Sequence, residues 1–246
     1  MRNYQEEFDR RVAFIRDTVA SAHASGIIYG NSGGKDCTLV GILCKAACDN
    51  TVGIIMPCSS SRNYGRDKDD ALVVAEKYGI ETRIVDLTPL KNCAVETIGA
   101  AAEISPMAGA NINPRLRMIT LYTVGQSENR LVAGTGNRSE ATMGYFTKWG
   151  DGAYDFNPIA DLTVKEIFEF LEFLGAPRCI IDKAPSAALF EGQTDEQEMG
   201  ITYASIDSYL LEGKAHSEAD TELIERRYNA TAHKRRMPIA YLDYKG

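Results

Sequence analysis

The chain has 246 residues, with 27 lysines and arginines against 34 aspartates and glutamates, for a formal net charge of −7 at pH 7. That length suits one large α/β domain spanning residues 1–246, and the acid excess argues against a broad nucleic-acid-binding face. The charged N-terminal stretch MRNYQEEFDRRVAFIRD has no signal-peptide core and no apolar run reaches membrane-spanning length, so a soluble, cytoplasmic protein with no nucleic-acid and no membrane partner is expected.

Residues 4 to 24 read as an amphipathic helix, with Phe8, Val12, Ile15 and Val19 on one stripe. Next, an apolar strand-like run (Gly26 to Tyr29) breaks into Gly30-Asn31-Ser32-Gly33-Gly34-Lys35-Asp36-Cys37, and from Asp36 the spacing turns helical. Strand, glycine-rich loop and helix together make an anion cradle. Glycines let backbone N–H groups approach a phosphate, and the helix N-terminus adds partial positive charge. The loop is not a Walker A loop: Tyr29 stands where the first glycine belongs and Asp36 where a hydroxyl belongs. Nor does G-x-G-x-x-G fit here, or near Gly134, where Ser139 takes the last glycine position. Ser32-Gly33-Gly34-x-Asp36-Cys37 resembles instead the pyrophosphate loop of the ATP pyrophosphatase families. A carboxylate inside a phosphate cradle repels its ligand unless a divalent cation lies between them, which points to Mg²⁺ with ATP; the plainer reading is that Asp36 caps the helix.

Six cysteines, at 37, 44, 48, 58, 93 and 179, include no C-x-x-C pair, so neither a zinc site nor a disulfide scaffold is indicated. A second strand over 52–56 leads into the polar stretch Cys58–Tyr64, a candidate adenine contact. A helix from Asp67 to Tyr78 stops at Gly79, a third strand covers 82–85, and a further helix is expected from Thr88 to Ile104. After a loop over 105–111, Pro114 starts a helix carrying Arg115 and Arg117, and Arg130 opens the next strand. Repeated β-helix-β units predict a doubly wound, Rossmann-like parallel sheet with helices on both faces.

The stretch Gly134 to Asp155, rich in glycine, charge and aromatics, reads as a functional loop. GTGNRSE and GYFTKWGDG, taken with SGGKDC and the later HKR, resemble the ammonia-dependent NAD⁺ synthetases over nearly the whole chain. The resemblance implies a ligase that activates the nicotinate carboxylate of deamido-NAD⁺ with ATP and lets ammonia displace AMP. It implies that Gly30 to Cys37 bind the ATP phosphates, with Thr135 and Ser186 also on ATP, and that Asp36 and Glu140 hold Mg²⁺. It assigns Arg115, Lys148, Asp155, His233 and Lys234 to deamido-NAD⁺, and implies a homodimer. Asp151 is the candidate for guiding or deprotonating ammonium, because only neutral ammonia is a nucleophile; a turn-forming Asp is the plainer alternative.

One departure stands out. Where the family places an ATP-contacting lysine this chain has Val164, and Lys165 follows one position later. Either Lys165 reaches in from a shifted register or the contact is absent. Beyond it, Glu191 to Gly200 resembles the family's site-covering segment, and Thr231 to Arg236 concentrates cations in an acidic chain. Two other functions fit the loop class: a tRNA-modifying ligase, which calls for a basic face or paired cysteines, and a non-catalytic adenine-nucleotide-binding module, which needs no Asp36 and Glu140 pair.

Overall fold

The short apolar runs come together as a four-stranded parallel sheet in the computed structural model, which describes residues 2–58, 65–183 and 194–241. The strands are β1 (Gly26–Gly30), β2 (Thr51–Ile55), β3 (Glu81–Ile84) and β4 (Arg130–Val132), in the order β3-β2-β1-β4. Register is fixed by Ile27 opposite Thr51 on one side of β1 and Leu131 on the other. Between them run α2 (Lys35–Ala47), α3 (Arg66–Tyr78), α4 (Thr88–Gly99), α5 (Pro106–Ala110) and α6 (Ile112–Ser127). Parallel strands need such crossovers, and the helices cover both faces.

The period-2 alternation of β1 decides which face each residue serves. Ile27 and Tyr29 enter a core with Leu39 and Leu43 of α2, Ile15 of α1 (Tyr4–Ser21) and Phe170 of α8 (Val164–Phe173). Ile28 points the other way, to Val52, Ile54, Leu87 and Val132, with Leu121 and Val124 of α6 packed over them. Each such fully buried aliphatic side chain contributes about 1.5–3 kcal/mol. Tyr29 explains two glycines inside regular elements: a Cβ at Gly41 of α2 would meet its Cζ at 2.8 Å, and one at Gly53 of β2 would meet it at 3.1 Å.

A third core, of Met143, Val164, Met199, Ile201, Tyr203, Ile206, Ala215 and Ile224, joins α7 (Arg138–Met143), α8, α10 (Asp195–Met199), α11 (Tyr203–Glu212) and α12 (Glu218–Ala230). The remaining short helix, α9 (Arg178–Ile181), and a 3₁₀ turn (Ala232–Lys234) complete the described elements.

Three segments differ from the expectation, two of them for a capping reason. The helix from Thr88 stops at Gly99 rather than Ile104. The expected loop over 105–111 contains α5, because Ser105 accepts the Ala108 amide at 3.3 Å and Pro106 stands at the first helical position. The expected loop over 134–155 contains α7, built on a reciprocal capping box between Asn137 and Glu140.

Strand order decides where the site lies. From β1 the chain passes to β2 on one side, while β4 enters on the other, so a crevice opens between the loops that follow β1 and β4.

Candidate active site

A cavity of about 510 Å³ lies at the carboxyl ends of β1, β2 and β4. Its floor is the loop after β1. Gly33 adopts φ +67°, where only glycine is unstrained, and is packed on the first turn of α3. Buried Asn31 accepts the Gly33 amide at 3.2 Å, and the Cys37 thiol takes the Gly34 amide at 3.3 Å and lies 3.3 Å from Ser32 Oγ. Burial pushes the Cys37 thiol above its ordinary pKa, so it stays neutral. Cys37 therefore shapes the loop through its own backbone. Lys183 fixes the loop from outside: its ammonium donates to the Gly33 carbonyl at 3.0 Å and to Asp67 and Asp70 at 2.8 Å.

The loop after β4 brings Glu140 to Asp36 through Asn137. The Asn137 side chain donates to Asp36 Oδ1 at 3.0 Å and accepts the Glu140 amide at 2.9 Å, while the Asn137 amide donates to Glu140 Oε2 at 3.1 Å. Burial, reinforced by the nearby Asp36 carboxylate, pushes Glu140 well above the usual carboxylate range. Lys35 supplies the local counter-charge, 2.7 Å from Asp36 and 5.6 Å from the ring centroid of Tyr203. Burial opposes its charge, yet Asp36 and then Glu140 hold its pKa above the ordinary lysine value. Asp195, accepting from Tyr145 and Tyr203 at 3.3 and 3.2 Å, adds a third carboxylate to the same wall.

Two facing carboxylates beside a phosphate-type loop are hard oxygen donors of the kind Mg²⁺ takes, with phosphate oxygens and water completing the shell. Among the described residues no cluster of three or more His, Cys, Asp or Glu side chains is placed to hold a metal alone. The donor set thus suits an ion that arrives with a phosphate ligand.

Residues from Gly144 to Ala153 form the opposite wall. Asp151 accepts the Thr147 amide at 2.9 Å, closing a turn, and still faces the cavity. Burial of its carboxylate raises its pKa, against the Thr147 amide that favours the ionised form. Trp149, at φ +62°, holds a left-handed conformation rare for a bulky residue. The 3₁₀ turn clasps this wall: Lys234 donates to the carbonyls of Gly144 and Phe146 at 2.9 and 2.8 Å, and Lys148 donates to the His233 carbonyl at 2.9 Å.

The cavity wall thus unites Gly30, Asn31, Ser32, Gly34, Lys35, Asp36, Cys37, Thr135, Glu140, Asp151 and Lys234. Gly33 sits behind it, setting the bend. Arg115, Lys148, Asp155 and His233 do not line it. Exposed Arg115 reaches the Asn111 and Lys148 carbonyls at 3.4 Å, and Asp155 is tied to the Val132 amide at 2.7 Å and the Tyr122 hydroxyl at 3.2 Å. Val164 is buried in the third core, and Lys165 is exposed and does not line the cavity. Ser186 and the stretch 59–64 lie outside the described residues. Sequence reasoning missed Asn137, Lys183, Asp195 and Arg117. Asn137 had a local signal in the Asn-x-x-Glu capping box, and Asp195 stood inside the segment Glu191 to Gly200 read as covering the site.

The NAD synthase family profile matches residues 7–238. An NH(3)-dependent NAD(+) synthetase of Carboxydothermus hydrogenoformans is 44% identical over 96% of this chain and 97% of its own. Among solved structures, the NMN synthetase of Francisella tularensis superposes with a TM-score of 0.91 at 35% identity, over 98% of this chain and 99% of that one. The NH3-dependent NAD synthetase of Campylobacter jejuni does so at 0.79 and 27%, over the same shares. With the acid-bearing phosphate loop, the Asn137-bridged Glu140 and the Gly144 to Ala153 wall on one crevice, the chain belongs to the NAD synthase family.

Proposed function

We propose that the chain is an ammonia-dependent NAD⁺ synthetase: it adenylates the nicotinate carboxylate of deamido-NAD⁺ with ATP, releases pyrophosphate, and lets ammonia displace AMP. The observation that carries this reading is the convergence of Asp36 and Glu140, from loops after two different strands, through one Asn137 side chain. The loop of residues 30 to 37 binds and orients the triphosphate, and Asp36 with Glu140 would hold Mg²⁺. When bound, the ion neutralises charge on the phosphates during attack at the α-phosphorus. Lys35 keeps the two acids compatible in one buried site and offers its ammonium to phosphate oxygens. Asp151, with its raised pKa, takes a proton from ammonium at its carboxylate and leaves the free nucleophile near the acyl group.

The same chemistry on a mononucleotide is the second reading, with nicotinate mononucleotide amidated to NMN. It is favoured by the higher superposition on the Francisella tularensis NMN synthetase than on the Campylobacter jejuni enzyme, 0.91 against 0.79. Purified chain with Mg·ATP, ammonium and each acid separately, the products resolved by chromatography, decides between them through the ratio of kcat/KM. AMP and pyrophosphate equimolar with amide are expected; ADP and orthophosphate would refute attack at the α-phosphorus.

A homodimer is part of the proposal. Helix α4 buries none of its own residues, and Leu90, Ile98, Ile119 of α6 and Ile84 of β3 are each at least half exposed on an apolar surface. A second copy would cover that surface and bring a partner's face near the rim where Arg115 and Lys148 lie, which supports their use on the distal part of a dinucleotide. No helix among the described residues is long and apolar enough to cross a membrane, in keeping with a cytoplasmic location.

A further inference from the structure

The cavity wall contains a guanidinium that no carboxylate among the described residues pairs with. Arg117 belongs to the second turn of α6 and lines the cavity. Its Nε donates to the Met56 carbonyl at 3.4 Å, and this is its hydrogen bond within the described residues. Burial lowers its pKa, against the opposing pull of Cys58, then Asp151 and Asp67. Three other cations of the wall are more fully engaged: Lys35 pairs with Asp36, Lys183 with Asp67 and Asp70, and Lys234 spends its protons on two carbonyls.

A charge drawn partly out of water, as Arg117 is on this half-buried stretch of wall, is tolerated when it is paired and hydrogen-bonded. Arginine cannot discharge at working pH, and its two terminal nitrogens form a planar fork matched to a carboxylate or a phosphate. With Nε anchored to the end of β2, that fork stays with the cavity. We infer that Arg117 is a substrate-binding residue whose guanidinium receives an oxyanion of a substrate, a phosphate of ATP or an anionic group of the nicotinate nucleotide, between the phosphate loop and Asp151. This rests on the proposed reaction for the identity of the substrates, but not for the existence of the anion site.

The test measures binding by calorimetry for ATP, inorganic pyrophosphate, deamido-NAD⁺ and nicotinate mononucleotide, with wild-type protein, Arg117→Met and Arg117→Lys, together with the melting temperature of each ligand-free protein. Arg117→Met is expected to weaken at least one ligand tenfold or more, with Arg117→Lys intermediate, while the ligand-free melting temperature holds or rises because an uncompensated charge has gone. A loss confined to ATP and pyrophosphate places the anion on ATP; a loss confined to the two nicotinate nucleotides places it on the acid substrate. Binding of all four within twofold of wild type would overturn the inference. So would a lowered melting temperature in the ligand-free Arg117→Met protein, which would make the residue structural through Met56. Should Arg117→Met not fold, Arg117→Lys carries the same comparison. If wild-type protein turns over neither acid but Arg117→Met still loses ATP, the reaction is wrong and the anion site stands.

Discussion

Replacing Gly33 with alanine tests whether the phosphate loop owes its shape to contact with α3. Two effects add. At φ +67° an alanine sits in the left-handed region, at roughly 1–2 kcal/mol. The new Cβ would also overlap the carbonyl oxygen of Asp67 and stand 3.1 Å from both the Asp67 carbonyl carbon and the Ala71 amide nitrogen. These are backbone atoms of a helix and cannot rotate away, so the loop must move, with overpacking strain of about 1–3 kcal/mol. A combined loss near 3 kcal/mol lowers the melting temperature by roughly 6–12 °C in a chain of this size. A loop displaced by about 1 Å also loses its aim at the phosphates, at about 100-fold in turnover, and strains the Lys183 bond to the Gly33 carbonyl. Gly34→Ala is the control: its Cβ would meet only the rotatable Ser32 hydroxyl, at 3.3 Å, so its stability should change little. Differential scanning fluorimetry and pyrophosphate release measure both. A Gly33→Ala protein that melts within 1 °C of wild type and keeps its KM for ATP would refute the packing argument, the threshold being well inside the roughly 2–4 °C expected per kcal/mol.

Asp36→Asn and Glu140→Gln should each abolish pyrophosphate release while leaving far-UV circular dichroism unchanged; retained turnover at low Mg²⁺ would remove them as metal ligands. Lys183→Met should raise the KM for ATP, because it frees the Gly33 carbonyl and leaves Asp67 and Asp70 facing each other; an unchanged KM would show that the loop holds its shape without the clamp. The Tyr29 hydroxyl is buried without a hydrogen-bond partner, so Tyr29→Phe should hold or raise the melting temperature, by up to about 1–3 kcal/mol of recovered desolvation, and a clear drop would reveal a hidden partner. Because burial keeps the Cys37 thiol protonated at pH 8, peptide mapping should find exposed Cys93 alkylated by iodoacetamide well before Cys37; the reverse order would refute the assigned burial.

What the sequence by itself determined was local. The apolar runs and their glycine stops located all four strands within a residue or two, because period and punctuation are short-range signals. The motif SGGKDC located the glycine-rich loop after β1, because a glycine that must take positive φ and an acid at the start of the following helix leave a trace at fixed spacing. The capping box at Asn137 and the N-cap at Ser105 were equally local and mark helices that a loop-like composition conceals. What only the tertiary structure decided was which distant groups share a charge. Lys183 reaches the loop across 150 residues, Asp195 joins the wall through tyrosines from two other segments, and Asn137 bridges acids 104 positions apart, from Asp36 to Glu140. The tertiary structure also took Lys234 from the free-cation role its cluster suggests and spent it on backbone carbonyls, while leaving Arg117, an ordinary helix residue in sequence, on the cavity wall with no paired carboxylate among the described residues. Pairing of buried charges depends on which chain segments the sheet order brings to one edge, and that order is set by packing over the whole chain rather than by any window of it.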